Sequence, residues 1–390
     1  MAPLFQKGGW GDFNESLGVN DQHFHEKVRV HTLFQYEGIG KGQKSGGTGM
    51  NRHNRDTAPF LVEPKPCKWR LAMGAQMLGL LAGLVLCACT PALPRLPGQA
   101  AMTYDAKVDV RFHGFRRTYH VHLPPGYHPA RPLPMVVVVH GAFDTAKGME
   151  RFTGFSALAD QENFIALYPN GIGILGYLQH WNAGHCCARA AVAGIDDVGF
   201  LTKVIEDACA RLAVDRRRIY MTGFSNGGMM VHRFAAERGD LLAAIAPLAA
   251  TAGGKPDDQT TEWSIPDPVC PMPLLAMHGL ADAYVPFDGG KSPARGDARQ
   301  YWPVMRSLAL WTRRNGCLKA PITRDERQGK VHVTTWQDCT QGANVMLYTL
   351  EGWDHEWPGP YFTAKLDDQN PLRDFDAARI IWDFFKGHTR

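Results

Sequence analysis

No charge of one sign dominates this chain of 390 residues: 42 lysines and arginines stand against 38 aspartates and glutamates, a formal net charge of +4 with the basic residues scattered. Affinity for a polyanion comes from clustered cations, so there is no footprint for nucleic acid and none is expected as a partner. Long apolar runs are scarce too. The run 71-LAMGAQMLGLLAGLVL-86 has about sixteen residues, short of the roughly 20 that a helix needs to cross a bilayer. Internal repeats are missing, which sets aside solenoid architectures. With 45% hydrophobic and 21% charged residues the composition is that of a globular protein, and disorder of the whole is excluded.

Residues 1–67 also lack something: they are rich in Gly, His, Asn and Lys and show no sustained period of 2 or 3.6. They lead into a basic segment, Lys65 to Arg70, then the apolar run, then 86-LCAC-89. That order is the order of a secretion signal. Leu, two small residues and Cys resemble the lipobox of bacterial lipoproteins, which makes Cys89 the expected lipidated first residue of the mature protein. Cys87 fits poorly behind the bulky Leu86. A signal belongs at the start of a chain, so 1–67 is expected to be a spurious or disordered extension. Met50 is a better start than Met73 because only Met50 keeps the basic segment; a single-pass anchor with a short cytoplasmic tail is the alternative. The expected organisation is an extension over 1–67, a lipoprotein signal peptide over 68–89, a Pro-rich linker over 90–103 and a folded domain over 104–390, exported and tethered to a bacterial membrane or cell envelope.

Export changes how cysteines read. Beyond Cys67, Cys87 and Cys89 there are Cys186, Cys187, Cys209, Cys270, Cys317 and Cys339, and six cysteines in an oxidising compartment point to disulfides among fifteen full pairings. Cys317 with Cys339 is favoured because the two bracket one local segment, while Cys209 in a helical run reads as a free core thiol. Adjacent cysteines in 185-HCC-187 lack the usual spacing of structural metal ligands, and no metal is expected.

From about residue 100 the chain punctuates itself. The segment 106-AKVDVRFHGFRRTYHVHLP-124 alternates on both sides of His113-Gly114 and reads as a hairpin at a sheet edge. Continuous apolar runs at 134–141, 164–169, 217–223, 242–250, 273–279 and 345–352 read as strands buried on both faces. Between them helical patterns cover 198–212, 226–236 and 301–315, with a terminal helix near 374–385. Strands alternating with helices predict an α/β protein, a mostly parallel sheet with helices on both faces.

In such a sheet functional groups collect past the carboxyl ends of the strands. Val139 is followed by His140-Gly141-Ala142, the strand at 217–223 by Ser225, the strand at 273–279 by Asp282, and the strand at 345–352 by Asp354-His355. In 223-GFSNG-227 a serine sits between small residues where a strand gives way to a helix, which is the form of a nucleophile elbow. Ser, then Asp, then His is the chain order of the α/β-hydrolases. A serine hydroxyl is a poor nucleophile near neutral pH, so His355 must take its proton and Asp282 must hold that imidazole in one tautomer. Backbone amides must meet the oxyanion: Asn226, directly after the nucleophile, and Ala142, in the turn after His140-Gly141. Ser225 as a mere helix cap, Asp288 in place of Asp282, and His278 or His332 in place of His355 are the competing readings, with His278 more a core or loop-bracing residue and Asp354 a loop brace. Trp181 and Asn182, in the polar loop 180-HWNAGHCC-187, and Trp357 are expected to contact substrate.

The stretches 168-YPNG-171, 181-WNAG-184, 196-DDVGF-200, 215-DRRRIYMTGFSNGGMM-230, 278-HGLAD-282, 315-NGC-317 and 355-HEWPG-359 resemble the polyhydroxybutyrate-depolymerase-type esterases, a group that includes bacterial lipoprotein esterases, feruloyl esterases and acetylxylan esterases. The likeness covers about residues 104–387 in the family's order. It implies an α/β-hydrolase fold, a triad of Ser225, Asp282 and His355, and no cofactor. Two departures stand out: Ala142 where members often carry cysteine or glycine, and Trp353 in a stretch that is often Gly-rich. The expected function is an exported serine esterase acting on hydroxyalkanoate or on feruloyl or acetyl polysaccharide esters, with a non-catalytic binding lipoprotein on the same scaffold as the rival.

Overall fold

A computed structural model describes residues 108–390, His113 and Leu175 excepted. The expected extension, signal peptide and linker, with Cys89 and the choice of start, lie outside these described residues. The ten strands of the main sheet are numbered here in chain order: β1 Val108–Phe112, β2 Phe115–His122, β3 Leu133–Val139, β4 Ile165–Pro169, β5 Val214–Phe224, β6 Ala244–Leu248, β7 Leu274–Gly279, β8 Ile322–Glu326, β9 Val331–Trp336 and β10 Val345–Leu350. They lie side by side in the order β1-β2-β4-β3-β5-β6-β7-β10-β9-β8. The run from β4 through β3, β5, β6 and β7 to β10 is parallel; β1–β2 and β8–β9 are antiparallel hairpins closing the two edges. That order, with the β3–β4 crossover and an antiparallel second strand, is the α/β-hydrolase fold.

Six longer helices flank the sheet: α1 Ala146–Thr153, α2 Phe155–Glu162, α3 Asp197–Arg211, α4 Asn226–Arg238, α5 Val304–Arg314 and α6 Ala377–Phe385. Strand side chains alternate between the faces. Met135, Val137 and Val139 join Ile219 and Met221 under α3, α4 and α5, where Phe200, Phe234 and Trp311 are buried. Val136 and Val138 join Ala166 and Tyr220 under α1, α2 and α6, where Phe155, Ile381 and Phe385 are buried. Residues on both faces of β3 are fully buried, which is why the strand reads as unbroken valine rather than as an alternation.

The sequence expectations miss several pieces, β9 and a short hairpin within 172–180 among them. Helices α1 and α2, of eight residues each and separated by Gly154 at φ 75°, are too short for a clear period. Strand β8, 322-ITRDE-326, is charged and largely exposed because it is the outer edge, and charge on an edge strand hinders pairing with another chain. A small second sheet of two- and three-residue strands lies within 253–301. Cys317 and Cys339 form the expected disulfide; Cys186 and Cys187 are joined to each other. Among the described residues no helix is long and apolar enough to cross a membrane.

Candidate active site

Ser225 lies between the last residue of β5 and the first of α4, at φ 54° and ψ −121°, a conformation that costs free energy in a non-glycine residue. The flanking glycines are what permit it. A Cβ on Gly223 would stand 2.7 Å from the backbone of Gly227, and one on Gly227 only 2.2 Å from the carbonyl oxygen of Val139. Strand and helix therefore approach to a distance that only glycine allows. The Ser225 hydroxyl does not cap α4, which sets the helix-cap reading aside.

That hydroxyl lies 2.8 Å from His355 Nε2, and His355 Nδ1 lies 2.7 Å from Asp282 Oδ2. The three loops that follow β5, β7 and β10 thus meet at one point. Oδ1 of Asp282 accepts the backbone N–H groups of Tyr284 and Val285, so its whole carboxylate is engaged. Burial opposes its ionisation, but the attraction and hydrogen bond of His355, with the Val285 N–H, hold the carboxyl below its ordinary range. An ionised Asp282 fixes the proton of His355 on Nδ1 and leaves Nε2 to face the serine. Asp354 Oδ1 accepts from both Ala283 N and His355 N, tying the acid loop to the histidine loop.

The competitors fall elsewhere. Asp288 is exposed. His278 is buried 3.5 Å from Asp282, with Nε2 against the Val285 carbonyl, and burial lowers its pKa: it braces the acid loop. His332 sits on β9 between Asp325 and Glu351, whose hydrogen bonds raise its pKa.

The oxyanion side is built from two turns in contact. The Asn226 N–H is at the first position of α4, where a helix has no internal acceptor to offer. The Asn226 side chain clamps the facing loop, with Oδ1 accepting from Trp181 N at 2.8 Å and Nδ2 donating to Trp181 O at 3.0 Å. The turn at Gly141 packs on the elbow, where an added Cβ would meet Phe224 O at 3.4 Å and Ser225 Cβ at 3.7 Å. His140, passed over in the sequence as part of a dipeptide, governs that turn. Its Nε2 accepts from Gly171 N, so its proton is on Nδ1, which donates to Gly141 O at 2.7 Å. Burial lowers its pKa to about 3, keeping the ring neutral. The Gly141 carbonyl and the Ala142 N–H are opposite ends of one planar trans peptide. Holding the carbonyl against His140 therefore turns the Ala142 N–H the other way.

Three expected substrate contacts are corrected. Trp181 is fully buried, its Nε1–H donating to His140 O, its ring near Phe200. Trp357 is fully buried among Phe152, Phe155 and Phe224. Asn182 spends its amide within its own loop, donating to Ile195 O and accepting from Gly184 N. An indole with no accessible surface cannot lie against a substrate, and the loop that carries Trp181 and Asn182 is polar because it is knotted by internal hydrogen bonds, not because it is open. The ring that does flank His355 is Tyr284, half-buried, with its centre 5.3 Å from that of the histidine.

Comparison with known proteins finds esterases. The family described as Esterase PHB depolymerase matches residues 117–255. NocK of Nocardia uniformis subsp. tsuyamanensis, which bears an esterase name, is 29% identical over 70% of this chain and 80% of its own length. This chain is a carboxylic ester hydrolase similar to that family. Feruloyl esterase B of Piromyces equi is 27% identical over 60% of the esterase described here and 42% of its own length, so the esterase spans less than half of that relative. A solved ferulic acid esterase from Anaeromyces mucronatus aligns over 72% of the esterase and 89% of its own chain, at 16% identity and a TM-score of 0.45.

Proposed function

We propose that this esterase works through an acyl-enzyme on Ser225. The observation that carries the reading is the unbroken line from Ser225 Oγ through the two nitrogens of His355 to Asp282, at 2.8 and 2.7 Å. Ser225 Oγ attacks the ester carbonyl while His355 Nε2 takes the hydroxyl proton. The carbonyl oxygen becomes an anion facing the amides of Asn226 and Ala142, and on collapse His355 returns the proton to the departing alcohol oxygen. Water, activated by the same imidazole, then releases the acid and restores the serine. Asp282 stays ionised throughout and holds the imidazolium.

The esters in view are hydroxyalkanoate oligomers or polyester and feruloyl or acetyl groups on polysaccharide, classes named among the relatives. Ser225→Ala should lower ester hydrolysis by several orders of magnitude with the thermal melt unchanged, and should abolish labelling by a fluorophosphonate. Near-normal turnover in that variant removes the reading, and a wild type that neither labels nor turns over would favour a binding role instead. Export as a lipoprotein belongs to the same proposal. It is supported by the lipobox-like 86-LCAC-89 and by the two cysteine pairs joined as disulfides. Metabolic lipid labelling should mark the wild type and not Cys89→Ser; equal labelling of both, or none in either, would refute the anchor.

A further inference from the structure

Two arginines on the loop after β7, Arg295 and Arg299, stand near Ser225 and His355 without a carboxylate partner among the described residues. Arg299 Nη1 lies 3.6 Å from the sulfurs of both Cys186 and Cys187, and Cys186 Sγ in turn lies 3.8 Å from the side-chain amide of Asn226. Arg295 places its guanidinium 5.7 Å from the ring centre of Tyr284, the ring that flanks His355. Each is half-buried, the Nε of each is buried without a hydrogen-bond partner, and neither pairs with a carboxylate among the described residues. Asp297, between them in sequence, turns its carboxylate to the backbone N–H of Arg299. Two residues on from Arg299, the buried hydroxyl of Tyr301 has no hydrogen-bond partner among the described residues, and its ring meets that of His185 edge to face at 6.1 Å. Half-buried and without a carboxylate partner among the described residues, each guanidinium keeps its charge open to an acceptor from outside.

We infer that Arg295 and Arg299, with Tyr284, form a subsite for a carboxylate carried on the alcohol part of the ester. The side is fixed by the chemistry, and here the inference rests on the acyl-enzyme reading above. His355 delivers its proton to the departing alcohol oxygen, so the alcohol part lies on the His355 side of the scissile bond, where Tyr284 and Arg295 stand. A guanidinium meets a carboxylate with two parallel hydrogen bonds, a match that a neutral methyl ester cannot make. A hydroxyalkanoate oligomer has this chemistry, because the alcohol released from its terminal unit is itself a hydroxy acid. An acetylated uronic acid has it too. The esterase so equipped cleaves chain ends bearing a free carboxylate in preference to capped ends.

The test compares kcat/KM for a hydroxybutyrate dimer as the free acid with that for its methyl ester, and for an O-acetylated uronic acid with its methyl ester. The wild type should prefer the acid about tenfold in at least one pair, and the pair that shows it names the source. In the double variant Arg295→Gln/Arg299→Gln the ratio of acid to methyl ester should fall to about one, whereas Arg295→Lys should keep part of it. Should the glutamine variants fail to fold, ionic strength gives the same answer on the wild type alone: added salt should erode the preference for the acid and leave the methyl ester unaffected. A wild-type ratio near one in both pairs, or a ratio unchanged in the folded double variant, overturns the subsite. Failure of the serine-esterase reading has a different signature, an undiminished turnover of p-nitrophenyl butyrate by Ser225→Ala.

Discussion

Trp357 illustrates how a single residue is misjudged from sequence. It follows His355 by two positions, so proximity along the chain suggests a substrate contact. In the fold its ring is fully buried, 6.4 Å from the ring of Phe224, which itself lies 4.9 Å from that of His355. It props the wall behind the histidine. Truncating a buried tryptophan removes both transfer energy and packing, at a cost of about 3–5 kcal/mol. Trp357→Ala should therefore lower stability by that order in denaturant unfolding and should reduce kcat/KM by a common factor on p-nitrophenyl acetate and on long-chain or aromatic esters. A stable variant with a selective loss on extended esters would return the ring to the substrate cleft. The readings of Ser225, Asp282 and His355 rest on a chemistry that admits few residue types and on a fixed order along the chain, and the structure brings the three within hydrogen-bond distance. Exposure of a side chain has no such signature: Trp181 and Asn182 stand in a polar, glycine-containing loop, and only the hydrogen bonds to Asn226, Ile195 and Gly184 reveal that the loop is closed on itself. Tyr284, which does flank the histidine, carries no motif at all.

Elements were legible in proportion to their burial. The central strands β3, β6, β7 and β10, and β5 from Ile219 onward, announce themselves because they are covered on both faces and are apolar there, and four of the five end where chemistry was expected. The sheet edges behave differently. The hairpin of β1 and β2 shows through its alternation, but β8 offers Thr, Arg, Asp and Glu to solvent and reads as loop. The disulfide between Cys317 and Cys339 joins the end of α5 to the segment following β9, and it was legible because its partners bracket a short stretch. The bond between Cys186 and Cys187 was not, since a spacing of one residue matches no pattern that pairing arguments use. The turn at Gly141 shows a third case. The dipeptide His140-Gly141 signals an oxyanion turn, while the reason for its histidine, the bond from Nδ1 to the Gly141 carbonyl, depends on Gly171 arriving from the far end of β4.

At the scale of the whole molecule, several histidines are sealed inside the fold in the neutral state, and acid should act on the structure through them. Burial lowers His140, His185 and His232 each to about 3. His232 is the cleanest of the three because burial is the one cause of its shift. It lies on α4, the helix that follows Ser225, and its Nδ1 accepts the indole N–H of Trp311 on α5 at 3.0 Å. Protonation would remove that acceptor as well as bury a charge. In the unfolded chain the same group titrates near 6.5, so between about pH 6.5 and pH 3 the unfolded state binds the proton and the folded state does not. Stability therefore rises with pH across this window, is fully present above it, and is lost as pH falls, by about 1.4 kcal/mol per pH unit for one group. Other groups titrate in the same range, and comparison with a variant cancels them. His232→Gln keeps an acceptor for Trp311 and cannot titrate. The unfolding free energy of the wild type minus that of the variant, measured in denaturant at half-unit steps from pH 7 to pH 4, should be level near pH 7 and then decline toward that slope as the pH drops. A difference that stays constant to pH 4 would mean that His232 takes up its proton as readily in the fold as in the open chain, and that the seal between α4 and α5 admits water.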